Sequence, residues 1–359
     1  MDRKKVIAYL LIANLAVILI MLVGKFKVVL SFVDVVFSII VVPIIFGVFL
    51  FYILKPLNTL FRKRKMKNGR AAMLTMFIFF FIMAGAVKYF GDYFIEQFIM
   101  LKSLFIKIAQ ERGIIEQINK IFSGDLANVD YYGRFIVYLE KYIGLIILSG
   151  RQLFNEGMQL FSDILLVVLI LFYLLKDGDK VEDIILKYTP KKYEKTMSET
   201  IGQSNKVLSS YILGQATVAL SLAIMVYTGY KIIGMTSPML LASVTFILAF
   251  IPFIGFLISM IIPFALAISM GMPMVIKLFI LFLVAQTLKG RLVVPLIMGK
   301  AMKIHPITDI FLVVGAATLI GPIGAFVVVP LYALSKVFYR NFKPYIIGYI
   351  QKKFPEKTI

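Results

Sequence analysis

Apolar residues run along this chain in long blocks rather than on one side of a helical or extended repeat. Blocks cover residues 6–23, 28–54, 71–90, 158–175 and 207–230, and 238–337 is almost continuously apolar but broken by Pro and Gly. A helix needs about 20 residues to cross the roughly 30 Å hydrocarbon layer of a membrane. Each block is therefore read as a membrane helix, and 28–54 is long enough to tilt. The expected fold is an all-α integral membrane protein, a polytopic helical bundle with broken or re-entrant helices in its C-terminal half. The first block follows Arg3, Lys4 and Lys5 as a signal peptide would, but no small-residue cleavage site follows it, so it is read as a retained helix.

Between the third and fourth blocks the pattern changes. Leu101, Leu104, Phe105 and Ile108, then Ile114, Ile118 and Ile121, then Tyr132, Phe135, Ile136, Leu139 and Tyr142 recur at helical spacing among polar residues. Residues 91–156 are expected to form an amphipathic helical arm, either capping the bundle or lying in the membrane interface. After the fourth block, Asp177-Gly178-Asp179 resembles the start of a calcium loop, but the later ligand positions do not fit, so Gly178 is read as a helix stop. The organisation follows: N-terminal membrane helices with a basic loop over 1–90, the outer arm over 91–156, a span with a charged helix over 157–206, a transport core over 207–340 and a basic tail over 341–359.

Composition narrows the class further. Of 359 residues 60% are hydrophobic and 16% charged, far greasier than a soluble domain. There is no cysteine and a single histidine, which excludes disulfides and thiolate or multi-histidine metal sites. A net charge of +20 raises the question of nucleic acid, yet the basic residues fall in short runs between apolar blocks, as in cytoplasmic loops. Residues 55–70 hold seven Lys/Arg and no acid, 176–206 hold seven lysines, and the tail from Lys336 holds six basic residues and one acid. Residues 91–156 are nearly balanced, with seven basic and eight acidic residues. Both termini are expected in the cytoplasm of a bacterial inner-membrane, multi-pass protein, and no nucleic-acid partner is expected. There is no HExxH and no P-loop motif, so neither an enzyme nor a cofactor nor a metal is expected.

The most informative region is 238–337. Pro252, Gly255 and Pro263 interrupt one apolar stretch, and Gly321, Pro322, Gly324 and Pro330 interrupt another in a similar way. In lipid an unpaired backbone group costs several kcal/mol, so such breaks belong against protein or around a wet cavity, and paired broken elements mark transport sites. Each is expected to be a pair of short helices meeting at a turn. Between them lie Gln286, Lys289, Arg291, Pro295, His305 and Pro306, whose charges either face a polar cavity or snorkel to the interface. His305, followed by Pro306, is read as a turn residue. Gln215, Ser221, Thr245 and Gln286 could contact a solute or tie helices together. The only acids in the long apolar stretches are Asp34, Asp163 and Asp309, a shortage that favours a neutral or anionic solute over cation antiport.

The run Phe172-Tyr173-Leu174-Leu175-Lys176-Asp177 resembles the autoinducer-2 exporter family, as does Gly214-Gln215. So do Ile251-Pro252-Phe253-Ile254-Gly255 with Pro263, Val294-Pro295-Leu296-Ile297-Met298-Gly299-Lys300, Ile304-His305-Pro306, and Gly321-Pro322-Ile323-Gly324-Ala325-Phe326 with Pro330. The order fits along most of the chain. The resemblance implies about seven or eight membrane segments, a homo-oligomer, and export or exchange of a small polar solute such as autoinducer-2. The family often has an acid and an Asn where Lys289 and Arg291 stand here, which loosens any inference about ion coupling. The resemblance also leaves open sodium or potassium/proton antiport and a non-transporting scaffold in sporulation or envelope assembly. The residues expected along the pathway are Gln215, the two Pro/Gly breaks, and the stretch from Gln286 to Pro306.

Overall fold

A computed structural model describes residues 14–15, 36–110, 157–252, 254–298 and 305–353, and they are almost wholly helical with no strand among them. The first apolar block (apart from 14–15), the outer arm beyond Gln110, and residues 299–304 lie outside the described residues. Five helical stretches are long and apolar enough to cross a membrane: Phe37–Lys63, Asn68–Gln97, Lys191–Ile233, Met272–Met298 and Pro322–Tyr345. The chain is thus an all-α polytopic membrane protein.

Helix α1 (Val42–Lys63) follows a π-helical turn, carries Pro43 in its first turn, where no amide is missed, and ends on Arg62 and Lys63. Helix α2 (Asn68–Gln110) runs past residue 90 without interruption, so the third span continues directly into the start of the expected arm. Helix α3 (Gly157–Asp177) packs along both. These three share a core of Leu54, Ala72, Met76, Leu171 and Leu175. One polar residue is buried among them: Asn58 donates from Nδ2 to the Leu175 carbonyl at 2.9 Å, satisfying an orphan group in the last turn of α3.

At the end of the bundle that carries the basic loop, α3 stops at Gly178 as expected, and α4 (Lys180–Tyr188) begins at once. Glu182 and Asp183 in its first turn and Lys187 in its last complement its dipole. Arg62 pairs with Asp179, tying α1 to the α3–α4 corner. Lys180 lies 2.8 Å from Asp177 and holds that carboxylate below its usual range. A depressed carboxylate pKa adds stability above the ordinary carboxylate range and loses it as pH falls through the lowered value. The pair is solvent-exposed, so we expect Asp177→Asn to melt with the wild type at pH 7, whereas Asn58→Ala should cost about 1–3 kcal/mol by stranding a buried carbonyl. Thermal melting of the two purified variants side by side checks both.

The centre of the molecule is α5 (Glu194–Ile233), against which α1, α4, α12 and the helices between them pack. At about 60 Å it is twice the hydrocarbon thickness, and its charged first half projects beyond the span. Gly234 (φ 77°) ends it, with the Met235 amide returning to the Tyr230 carbonyl at 2.9 Å. Helix α6 (Pro238–Leu248) turns back along α5 but is only about 16 Å long, too short to cross. The chain bends at 249–252 and returns through α7 (Ile254–Ser259) and α8 (Ile261–Ser269). Then α9 (Met272–Leu288), a π-helical turn and α10 (Val294–Met298) descend antiparallel to α5. This descent brings Leu281 against Gly229 and Met298 against Gly214. Finally α11 (Pro306–Ile320), about 22 Å long, and α12 (Pro322–Lys353) form a second hairpin with its tip at Gly321-Pro322.

Each broken element is therefore a helical hairpin, as the Pro/Gly spacing predicts, and each re-enters. They enter from opposite ends. The α6–α8 hairpin starts from the far end of α5, whereas α11–α12 starts from the end where α10 finishes. Their tips meet beside the middle of α5, where Ile251 and Ile254 of the first pack with Val313, Ala325 and Val329 of the second and with Tyr52 and Tyr211.

Candidate solute pathway

Two cavities lie end to end beside α5. The larger, a vestibule of about 660 Å³, opens at the basic end between α1, α4, α5 and α12. Its polar lining includes Lys55, Asp179, Glu182, Ser204, Asn205 and Ser335. The smaller, a chamber of about 200 Å³, lies deeper between α1, α5, the first hairpin tip and α12. Val48, Leu208 and Leu334 line both, so the vestibule leads into the chamber. Beside the junction the Tyr52 hydroxyl donates to Asn205 Oδ1 at 2.8 Å, bracing α1 against α5.

The chamber is almost wholly apolar; its polar side chains are Tyr211 and Gln215, one turn apart on α5. Aromatic rings close it where the two hairpins meet α1. Phe49 lies 5.2 Å from Phe250 and 4.9 Å from Phe326, both edge to face, and Phe46 stacks on Phe326 at 6.3 Å. Phe250 sits at the first break and Phe326 just past the second, so any shift of either tip moves this closure.

The breaks owe their shape to glycine and glutamine. A Cβ on Gly255 would stand 1.8 Å from the Leu248 carbonyl oxygen, and one on Gly324 2.5 Å from that of Ala316, so both returning helices press on the helix before the turn. Gly321, with φ 77°, ends α11 in a conformation that favours glycine. Gln215 donates from Nε2 to the Ala249 carbonyl at 2.6 Å, clasping the first tip to α5. The amides of Ala249, Phe250, Ile251, Ile254 and Gly255 close local turns, as do those of Gly321 and Ala325. The expectation that open amides at the breaks meet a solute is thus replaced: the turns pair them, and the breaks present side chains instead.

The residues singled out from the sequence separate into groups. Gln215 and Pro330 line the chamber. Pro252, Gly255, Gly321, Pro322 and Gly324 shape the tips beside it. Pro263 is buried in the first turn of α8, where no amide is missed. Gln286, Lys289, Arg291, Pro295, His305 and Pro306 line neither cavity. Lys289 lays its ammonium 5.6 Å over the Phe256 ring, while Arg291 and Pro295 are exposed. His305 accepts at Nδ1 from the Ile307 amide, capping α11 one residue before Pro306. Tyr52, Asn205 and Tyr211 escaped the sequence reading. The one signal for them was a polar tip recurring every third or fourth residue of α5, at 205, 208 or 211, and 215, ahead of any knowledge of what faces it.

Two opposed re-entrant hairpins around a central helix, with a dead-ended cavity between them, define a polytopic membrane protein of transporter type. The model of the family described as AI-2E family transporter matches residues 10–343, and the chain belongs to that family. It is 31% identical over 179 residues to the "putative transport protein" YueF of Bacillus subtilis (strain 168), covering 50% of this chain and 48% of that one. Two others of the same description are YrrI of that organism, 25% identical over 173 residues (48% and 49%), and MJ1177 of Methanocaldococcus jannaschii, 26% over 139 residues (38% and 39%). The matched chain spans about half the length of the curated relatives, or less.

Proposed function

We propose that this chain is a bacterial inner-membrane transporter that exports or exchanges a small solute, entered from the cytoplasmic side. The observation that carries the reading is the continuity of vestibule and chamber, ending at an aromatic closure built from both hairpin tips and α1. The basic loops around the vestibule support a cytoplasmic mouth, which makes the described conformation inward-facing. Release to the other side requires Phe250 and Phe326 to part, and the tips are the elements free to do so, since each is a short turn rather than a continuous span. Family membership supports transport in general, and the autoinducer-2-like signal implied by the resemblance is one solute to try first.

In reconstituted vesicles, Phe250→Ala combined with Phe326→Ala should raise passive leak of small solutes at least about tenfold, because roughly two ring volumes of closure vanish. Asn205→Trp in the vestibule should block saturable flux. Wild-type vesicles with no saturable flux of any small neutral solute, and a double variant as tight as the wild type, would sink the reading.

Proton-coupled cation antiport has one observation in its favour. Asp309, in the first turn of α11, buries Oδ1 without a hydrogen-bond partner and lies close enough to act on Tyr211. Asp163, on α3, lines neither cavity, and Asp34 lies outside the described residues. A pH-sensitive dye response to added sodium or potassium that vanishes in Asp309→Asn would move the assignment to antiport.

A further inference from the structure

The chamber's chemistry is poorly matched to a polyol. We propose that it takes a small, non-anionic amphiphile: a compact apolar body of about one ring, carrying a hydroxyl or comparable oxygen that bonds Tyr211 and Gln215. This rests on the reading of the chamber as the solute site and names the class of solute.

Three observations converge. The first is the wall. Val48, Phe49, Leu208, Phe326 and Leu331 are among its lining, and of all lining side chains only Tyr211 and Gln215 are polar. A polyol moved here from water would exchange most of its hydrogen bonds for hydrocarbon, at a cost of several kcal/mol for each group left unpaired. The size, about 200 Å³, suits a single ring with short substituents, since an apolar cavity of about 150 Å³ stays dry and accepts benzene.

The second is the Tyr211 hydroxyl. The residue is 5% exposed, lines the chamber, and its Oη is buried with no hydrogen-bond partner. A buried hydroxyl left unmatched is costly, so such a group in a binding cavity points to a ligand acceptor. One turn along the same face of α5, Gln215 commits Nε2 to Ala249 and keeps its amide oxygen as an acceptor. A donor and an acceptor one helical turn apart, about 5–6 Å between their Cβ atoms, match a hydroxyl that accepts from Tyr211 and donates to Gln215, or a carbonyl and a hydroxyl on neighbouring carbons.

The third is Asp309. Its carboxylate acts electrostatically on the Tyr211 ring end from the neighbouring hairpin. A negative charge beside the hydrogen-bonding end of an apolar chamber repels a carboxylate or phosphate there and tolerates a neutral or cationic head.

The chain contains no tryptophan, so Phe49→Trp in the chamber wall provides a single fluorescent reporter. The protein is placed in lipid nanodiscs and titrated with benzyl alcohol, benzylamine, benzoate, glycerol and a long-chain alcohol, with empty nanodiscs as background. We expect saturable shifts with benzyl alcohol and benzylamine and none with benzoate or glycerol. Adding Tyr211→Phe should weaken benzyl alcohol about five- to tenfold, the loss of one buried hydrogen bond, while toluene is unaffected. Val48→Trp, read by calorimetry in the otherwise native chain, should abolish binding by filling the space. Tighter binding of glycerol or benzoate than of benzyl alcohol, or no effect of Tyr211→Phe, overturns the proposal. A response to the long-chain alcohol alone also overturns it and assigns the groove to lipid. Vesicle flux separates this from transport itself: saturable polyol flux that survives Val48→Trp overturns the amphiphile chamber alone, whereas the expected binding pattern without any flux overturns the transport reading alone.

Discussion

Gly255→Ala is expected to be the most damaging single methyl that can be added to this protein. The new Cβ would stand 1.8 Å from the Leu248 carbonyl oxygen and 2.6 Å from its carbon. The obstacle is backbone on the opposite arm of the hairpin, so no rotamer change relieves it. The tip must open by more than an ångström, which breaks the turn hydrogen bonds of Ile251 and Gly255 and pulls Ala249 from Gln215. Overpacking usually costs about 1–3 kcal/mol, and a clash with backbone belongs at or beyond the top of that range. At about 3 kcal/mol the melting temperature should fall by roughly 6–12 °C. Gly324→Ala should fall less, because part of its clash is with the Ile320 side chain at 2.9 Å. Gly202→Ala is the control: nothing lies within 4 Å of its position in α5, and alanine in a helix should stabilise by about 0.5–1 kcal/mol. Thermal scans of the three purified variants decide it, and equal melting of Gly255→Ala and wild type would refute the tight tip.

Gln215→Leu should have the second largest effect, chiefly on transport. Leucine nearly conserves volume but cannot donate to Ala249, whose carbonyl is then left buried in an apolar wall. Stranding such a group costs about 1–3 kcal/mol. The first tip is held to α5 by that clasp at the same place where Phe250 contributes to the aromatic closure. We expect at least a tenfold fall in saturable flux together with increased leak, while Gln215→Asn, one methylene shorter, is intermediate. A Gln215→Leu protein with wild-type flux and no added leak would show that the clasp is dispensable.

The contrast between Gln215 and Lys289 shows where sequence reasoning succeeds and where it stops. Both are polar residues within apolar stretches, and both were candidates for the pathway. Gln215 lines the chamber, whereas Lys289 spends its charge on the face of Phe256 and lines neither cavity. Nothing in the one-dimensional pattern distinguishes them, because what differs is which side of α5 each neighbouring helix covers. Gly214 meets Met298 while Gln215, one residue on, meets the first tip. Likewise Tyr211 reads as one more apolar-face residue until its hydroxyl is seen to lack a partner.

What the amino-acid order determined by itself was local and solvent-driven: apolar blocks of spanning length, basic loops, helix stops at Gly178 and Gly234, and two Pro/Gly turns that forbid continuous helices. Those follow from the properties of residues taken a few at a time, in a medium where each backbone group must find a partner nearby. Tertiary structure alone decided that the two hairpins enter from opposite ends, that their tips meet beside α5, and that their amides are already paired. It also placed Phe250, Phe326 and Phe49, far apart in the chain, on one closure. Such features depend on contacts between segments separated by many tens of residues, where helix periodicity carries no information about which faces come together.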